Sequence, residues 1–353
     1  MSLLLRATLP LLLTLSLQAQ VIPPPKPSES TLPPPPPTVQ LDVTVTARNS
    51  TKPVAGLTQS NFTILDNGAA QPILSFQAIK QPSAEPPIQV YLLVDTVNIG
   101  VQQVAGVRLR ISEFLKKNGP TLPYPVSFVV LTENATEIQQ TPSTSTAELL
   151  TDLDAIQTRI RVLNRSTGIY GAAERIQISL RAVEQVTTAA QDKPGRKILI
   201  WLSPGWAYLS NPDIYLSTRD QQLLFREVVN LSTELERARV TLYSIDPIGV
   251  EDAASSRTSY YQEFLKGVPN PKTVQWANLS LQVLATHTGG EAINSGNDIA
   301  AEISQCIDDA SAFYVITIPR AKAEKADTLH TIQVKIPDTN LKPRTQFGYY
   351  AQP

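Results

Sequence analysis

Residues 87–117 read PIQVYLLVDTVNIGVQQVAGVRLRISEFLKK, and this stretch decides the fold. An apolar run from Ile88 to Val94 stops at Asp95. A short polar turn, Thr96 to Asn98, follows, and a helical repeat then places Val101, Val104, Ile111, Phe114 and Leu115 on roughly one face. The run is continuous rather than alternating, as expected of a strand buried on both faces of a parallel sheet. A strand, a turn and a helix thus leave Asp95 at the carboxyl end of the strand, the edge where open α/β sheets bind ligands. Asn98 is a natural N-cap, because its side-chain oxygen can accept an orphan backbone N–H.

Downstream, strand and helix keep alternating. Val126–Leu131 is a second buried run, and Thr136–Gln140 can fold back on it as a hairpin. A helix over 168–190, a strand over 198–202, a helix over 221–239 and a strand over 240–245 follow, then helices over 276–287 and 298–309 and a last strand over 312–318. This pattern predicts a doubly wound α/β unit with a mostly parallel sheet. The flanks differ. Val39–Ala47 alternates like a half-exposed strand, and Phe62–Leu65 and Pro72–Phe76 add two short ones. So small a β unit needs partners, and 331–336 and 345–350 supply them from the other chain end. The expected organisation is a signal segment (1–20), a Pro-rich linker (21–38), an N-terminal β segment (39–85), the α/β domain (86–320) and a C-terminal β segment (321–353).

The opening MSLLLRATLPLLLTLSLQAQ has one cation, Arg6, then an apolar stretch and the small Ala19, as a secretory signal does. It is too short to span a membrane, so the mature chain is expected to be secreted or periplasmic with no membrane span. The 30 basic and 31 acidic residues nearly cancel, which argues against nucleic-acid binding. The single cysteine, Cys306, can form no internal disulfide and shares a helical stripe with Ile299, Ile303 and Ala310, as an apolar filler would. The only histidines are His287, at a helix end where a cation suits the dipole, and His330, expected at the surface. No nucleophile elbow, phosphate loop, zinc motif or C-x-x-C occurs, so no catalytic residue is assigned.

QLDVTVTARNSTKPVAGLTQSNFTILDNGAAQPILSF, LLVDTVN, RSTGIYGAAERI, GRKILIWLSPG, VTLYSIDPIG, LATHTGGEAINSGNDI, DTLHTIQVKI and RTQFGYYA occur in that order. Together they resemble the von Willebrand factor A-related secreted proteins of the acidobacterial type. The resemblance implies a metal-ion-dependent adhesion site, in which the first strand ends D-x-S-x-S and the hydroxyls help an aspartate hold Mg²⁺. Asp95 matches, but Val97 and Ile99 stand at the serine positions, and neither can ligate a hard cation. Thr167 matches the threonine turn, whereas Pro204 replaces the aspartate after the fourth strand. Neutral oxygens from Asn98 and Ser203, and a charge from Asp246, leave at most a weak Mg²⁺ site. The alternative use of Asp95, Asn98 and Thr167 is to cap helices. Two long loops leave the same edge, one carrying Trp206 and Tyr208, the other Tyr260 and Tyr261. They form either a recognition rim or a packed cover. The reading is a non-enzymatic adhesion module with a degenerate metal site and no resident cofactor, binding a protein or surface polymer through Asp95, Asn98, Thr167, Ser203, Trp206, Tyr208 and Tyr261. A structural subunit of an envelope assembly and a carboxylate-dependent hydrolase are the alternatives.

Overall fold

The computed structural model describes residues 37–81, 88–157, 168–206, 216–248, 260–294 and 296–353. The expected signal segment, nearly all of the Pro-rich linker, Thr167 and Tyr208 lie outside the described residues.

The central sheet is built from β5 (Gln89–Asp95), β6 (Thr121–Leu131), β9 (Lys197–Leu202), β10 (Val240–Ile245) and β11 (Ala292–Ile293), all parallel, in the order β11-β10-β9-β5-β6. The hairpin strand β7 (Thr136–Ile138) and the short β8 (Ser143–Ser145) both pair antiparallel with β6. Period-two alternation splits the apolar runs between two cores. Tyr91, Leu93, Leu199 and Trp201 face α3 (Gly168–Gln191), α4 (Thr218–Ala238) and α5 (Leu281–His287). Val90, Leu92, Val94, Ile198 and Ile200 face α1 (Val101–Lys117), α2 (Thr146–Gln157) and α6 (Ile299–Asp308). Cys306 lies buried in the second core among Ile299, Ile303 and Ala310, where burial pushes its thiol well up.

The two chain ends form two antiparallel sheets. One runs β14 (Leu341–Arg344), β1 (Thr38–Ala47), β12 (Ala312–Pro319) and β4 (Ser75–Lys80). The other runs β15 (Gly348–Ala351), β13 (Thr328–Lys335), β2 (Thr63–Asp66) and β3 (Ala69–Gln71). Val39, Leu41 and Val43 from the first pack against Ile64, Ile332 and Tyr349 from the second. The strand over 312–318 therefore does not finish the parallel sheet, as the alternation suggested. It pairs on one side with β1, Leu41 opposite Ile316, and on the other with β4. Its apolar run suits burial on both faces in either sheet, so composition could not choose between them.

Two arginines, one buried and one half-buried, tie the sandwich to the α/β unit. Arg196, 1% exposed, donates to Thr44 of β1, Thr241 of β10 and the Asp309 carbonyl, and stacks over Phe313. Arg344 of β14 binds the Glu291 and Asp309 carboxylates and the Gly289 carbonyl. The helix expected over 276–287 is interrupted. A 3-10 turn over Trp276–Leu279 precedes α5, because Ser280 has extended backbone.

Candidate functional site

Asp95 ends β5 with no exposed surface. One carboxylate oxygen accepts the backbone N–H groups of Val97 and Asn98, both at 2.8 Å. The other accepts the Asn98 side-chain amide at 2.8 Å and the Trp201 indole N–H at 2.9 Å. Each oxygen thus receives two donors, the usual capacity of an ionised carboxylate. Asn98 does not cap α1, whose N-cap is Gly100 without a side-chain bond. Its amide is drawn inward instead, donating also to Ser179 of α3 at 2.9 Å. Val97 and Ile99, at the positions where hydroxyls would ligate, are buried in the two opposite cores.

Of the other oxygen donors named from the sequence, Thr167 lies outside the described residues, and Asp246 and Ser203 are each engaged in their own turns. The α3 residue beside Asn98 is Ser179, eleven residues past Gly168, or about 16 Å along the helix axis. Asp246 follows β10, which is separated from β5 by β9, so it lies about 10 Å across the sheet. One Asp246 oxygen accepts the Ile248 N–H at 2.9 Å. Beside it, burial first, and then the charges of Asp298 and Asp246, raise Glu302 to about 7. Ser203 is fully buried, and its hydroxyl accepts the Gly205 N–H at 3.0 Å in a turn that Gly205 completes at φ 80°. Gln282 fastens this turn from α5 by donating to the Pro204 carbonyl at 2.8 Å. Among the described residues, no group of three or more His, Cys, Asp or Glu side chains is placed to hold a metal ion.

The aromatic residues fall on both sides of the rim-or-cover choice. Trp206 is 3% exposed, donates its indole N–H to the Leu279 carbonyl and meets Trp201 edge-on at 5.7 Å. It belongs to the core, not to a rim, because its N–H finds an acceptor only there. Tyr261 is half-buried against the small cluster of Phe264, Ala277 and Val283. Two apolar groups at this edge are exposed. Val101, which the helical repeat put on the apolar face of α1, opens the helix and is 46% exposed, and Tyr170 near the start of α3, which the sequence did not single out, is 63% exposed.

The histidines also differ from expectation. His287 is not a cation at a helix end. It stacks on Phe347 at 4.6 Å, its Nε2 lies 3.1 Å from the Leu265 carbonyl, and burial lowers it to about 4. His330 is not at the surface, since its ring stacks on Tyr349 and its Nδ1 lies 2.7 Å from the Asp66 carboxylate.

No known family profile matches the chain, and no curated protein matches it. Among solved structures, it is similar to a point mutant of the PilB minor pilin from Streptococcus sanguinis, at 11% identity and TM-score 0.39, over 76% of this chain and 78% of that one. It is also similar to the pilus adhesin SpaC from Lactobacillus rhamnosus GG in an open conformation, at 10% identity and TM-score 0.39, over 86% of this chain and 47% of that one. The human COPII-coat protein Sec24c is similar at 9% identity and TM-score 0.34, over 75% of this chain and 43% of that one. The chain thus spans less than half the length of the last two.

Proposed function

We propose that this chain is a von Willebrand factor A-like, non-enzymatic adhesion module that works outside the cytoplasm. It recognises a protein or surface polymer at the carboxyl edge of its central sheet without a bridging cation. The observation that carries the reading is the saturation of Asp95, whose two oxygens already hold four protein donors. A cation entering there would have to displace the Trp201 indole and the Asn98 amide and find further oxygen ligands among Val97 and Ile99, which have none. Recognition then falls to shape and apolar contact, for which exposed Val101 and Tyr170 are suited. Among the described residues, no helix is long and apolar enough to cross a membrane, which is compatible with a module presented in solution.

The test is retention of the purified chain on an isolated cell-envelope preparation, with and without a chelator. The reading expects retention that EDTA leaves unchanged and that Tyr170→Ala or Val101→Asp weakens. Release by EDTA, with recovery on adding Mg²⁺, would sink it.

A further inference from the structure

At the opposite, amino edge of the sheet, a narrow cleft separates the ends of α4 and α5 from the sandwich. It contains about 720 Å³ of space, part of it open to solvent. We propose that this cleft is a second binding site, which takes a small, flat, uncharged molecule bearing a carboxamide or a similar carbonyl group. It lies between the two structural units, a common setting for small-molecule sites.

Three features set the ligand chemistry. The first is polar: Gln346 lines the cleft, and its side-chain amide nitrogen is buried with no acceptor. Buried donors are almost always satisfied, so this one is suited to an oxygen brought by a ligand. A carboxamide supplies both a carbonyl and an N–H and can pair with the Gln346 amide end to end. Ser232, on the α4 wall, adds a hydroxyl that can donate or accept.

The second feature is shape. The His287 and Phe347 rings lie nearly parallel, 16° apart with centroids at 4.6 Å, and both line the cleft. Each ring covers one face of the other, so Phe347, backed by His287, makes with Leu235 and Leu329 an apolar wall along which a ring can lie. Gly267 lets its loop pack directly against this wall, since a Cβ there would fall 2.6 Å from the Phe347 ring.

The third is charge. The two carboxylates on the walls are each committed to an arginine, Asp42 to Arg239 and Glu236 to Arg320. His287 is neutral at physiological pH. Among the described residues that line the cleft, no unpaired charge is left to offset a buried ligand ion, and burying one unpaired is costly. An uncharged ligand follows.

Calorimetry and ligand-observed NMR on the whole chain test the site, with benzamide as the probe and benzoate and benzylamine as charged counterparts. Saturable benzamide binding is expected, with both ions about tenfold weaker or worse. Gln346→Leu should weaken benzamide by about tenfold, roughly the worth of one neutral hydrogen bond. That variant removes a buried unsatisfied donor, so its thermal midpoint should hold or rise. Ser232→Phe, which plugs the cleft from α4, should abolish binding and serves if Gln346→Leu does not fold. No saturable benzamide binding, or binding that survives either variant, overturns the proposal. None of these outcomes bears on the carboxyl edge, because neither variant touches it.

Discussion

Replacing Asp95 by Asn separates a structural carboxylate from one reserved for a cation. The amide oxygen can keep the Val97 and Asn98 backbone bonds. Its NH₂ then faces the Trp201 indole, which now lacks an acceptor, and the Asn98 amide, which keeps only Ser179. Bonds to a charged acceptor contribute about 1.5–3 kcal/mol each, so losing two costs about 3–6 kcal/mol. No longer burying a negative charge offsets part of this, and a net loss of about 3 kcal/mol is predicted. Urea unfolding followed by tryptophan fluorescence reads it directly, since Trp201 reports from the site itself. With a urea slope of about 1–3 kcal/mol per molar, the midpoint should fall by about 1–3 M at an unchanged slope. A carboxylate reserved for a cation behaves oppositely, because neutralising it removes unpaired charge. A midpoint that stays level or rises in Asp95→Asn would therefore refute the saturation argument.

Glu227, buried on α4 against Glu184 of α3, is raised to about 7 by burial first and then by the Glu184 and Glu234 charges. Between about 4.5 and 7 the folded state holds more protons here than the unfolded state, so stability falls as pH rises through this window. Glu227→Gln should remove that slope and stabilise the protein at pH 8 by about 1–3 kcal/mol, read as a higher denaturation midpoint than the parent's. His287, lowered to about 4, has the opposite sign: its contribution is present above about 6.5 and is lost as pH falls toward 4. His287→Gln should flatten the acid limb of a midpoint-against-pH curve, and an unchanged limb would show that the ring is not buried neutral. Arg344→Met should cost about 3–5 kcal/mol by leaving Asp309 buried without its cation, and Arg344→Lys should recover little, since an ammonium cannot span Asp309, Glu291 and the Gly289 carbonyl together. Chemical denaturation of the pair checks both halves.

What could be read from the sequence was set by periodicity. Continuous apolar runs identified β5, β6, β9 and β10 as buried strands, and the four-three spacing of Leu224, Val228, Leu231 and Leu235 marked α4. The assignment of β12 failed because a strand's apolar faces say that it is covered, not by which sheet. The site was only half legible. Val97 and Ile99 announced that the turn after β5 brings no side-chain oxygen to Asp95, but not what satisfies the carboxylate. Trp201 does so in part, and its signal was present: an indole inside a fully buried strand must find an acceptor. Asp95 is one strand away, on β5. Ser179 carried no such signal, because one serine in a long helix is ordinary. Nor could spacing show where α3 is pinned against the turn after β5, since that depends on a contact between distant segments.

The pinning of α3 and the satisfaction of Asp95 are linked. In a site built around a cation, several side chains share one centre, and that centre fixes the loop after the first strand. Here the centre is the carboxylate itself. Its bonds to the Val97 and Asn98 backbone close the loop tightly on β5, and Asn98 then reaches Ser179, so α3 is held by the same group that fixes the loop. The loop is consequently tied down by protein donors, and Val97 and Ile99 are buried in the two cores. Apolar burial at those two positions, about 1.5–3 kcal/mol for each side chain, stabilises the folded chain whether or not a ligand is bound. The adhesion surface proposed for this edge, organised this way, should show the same affinity across divalent-cation concentrations that would switch a metal-dependent one on and off.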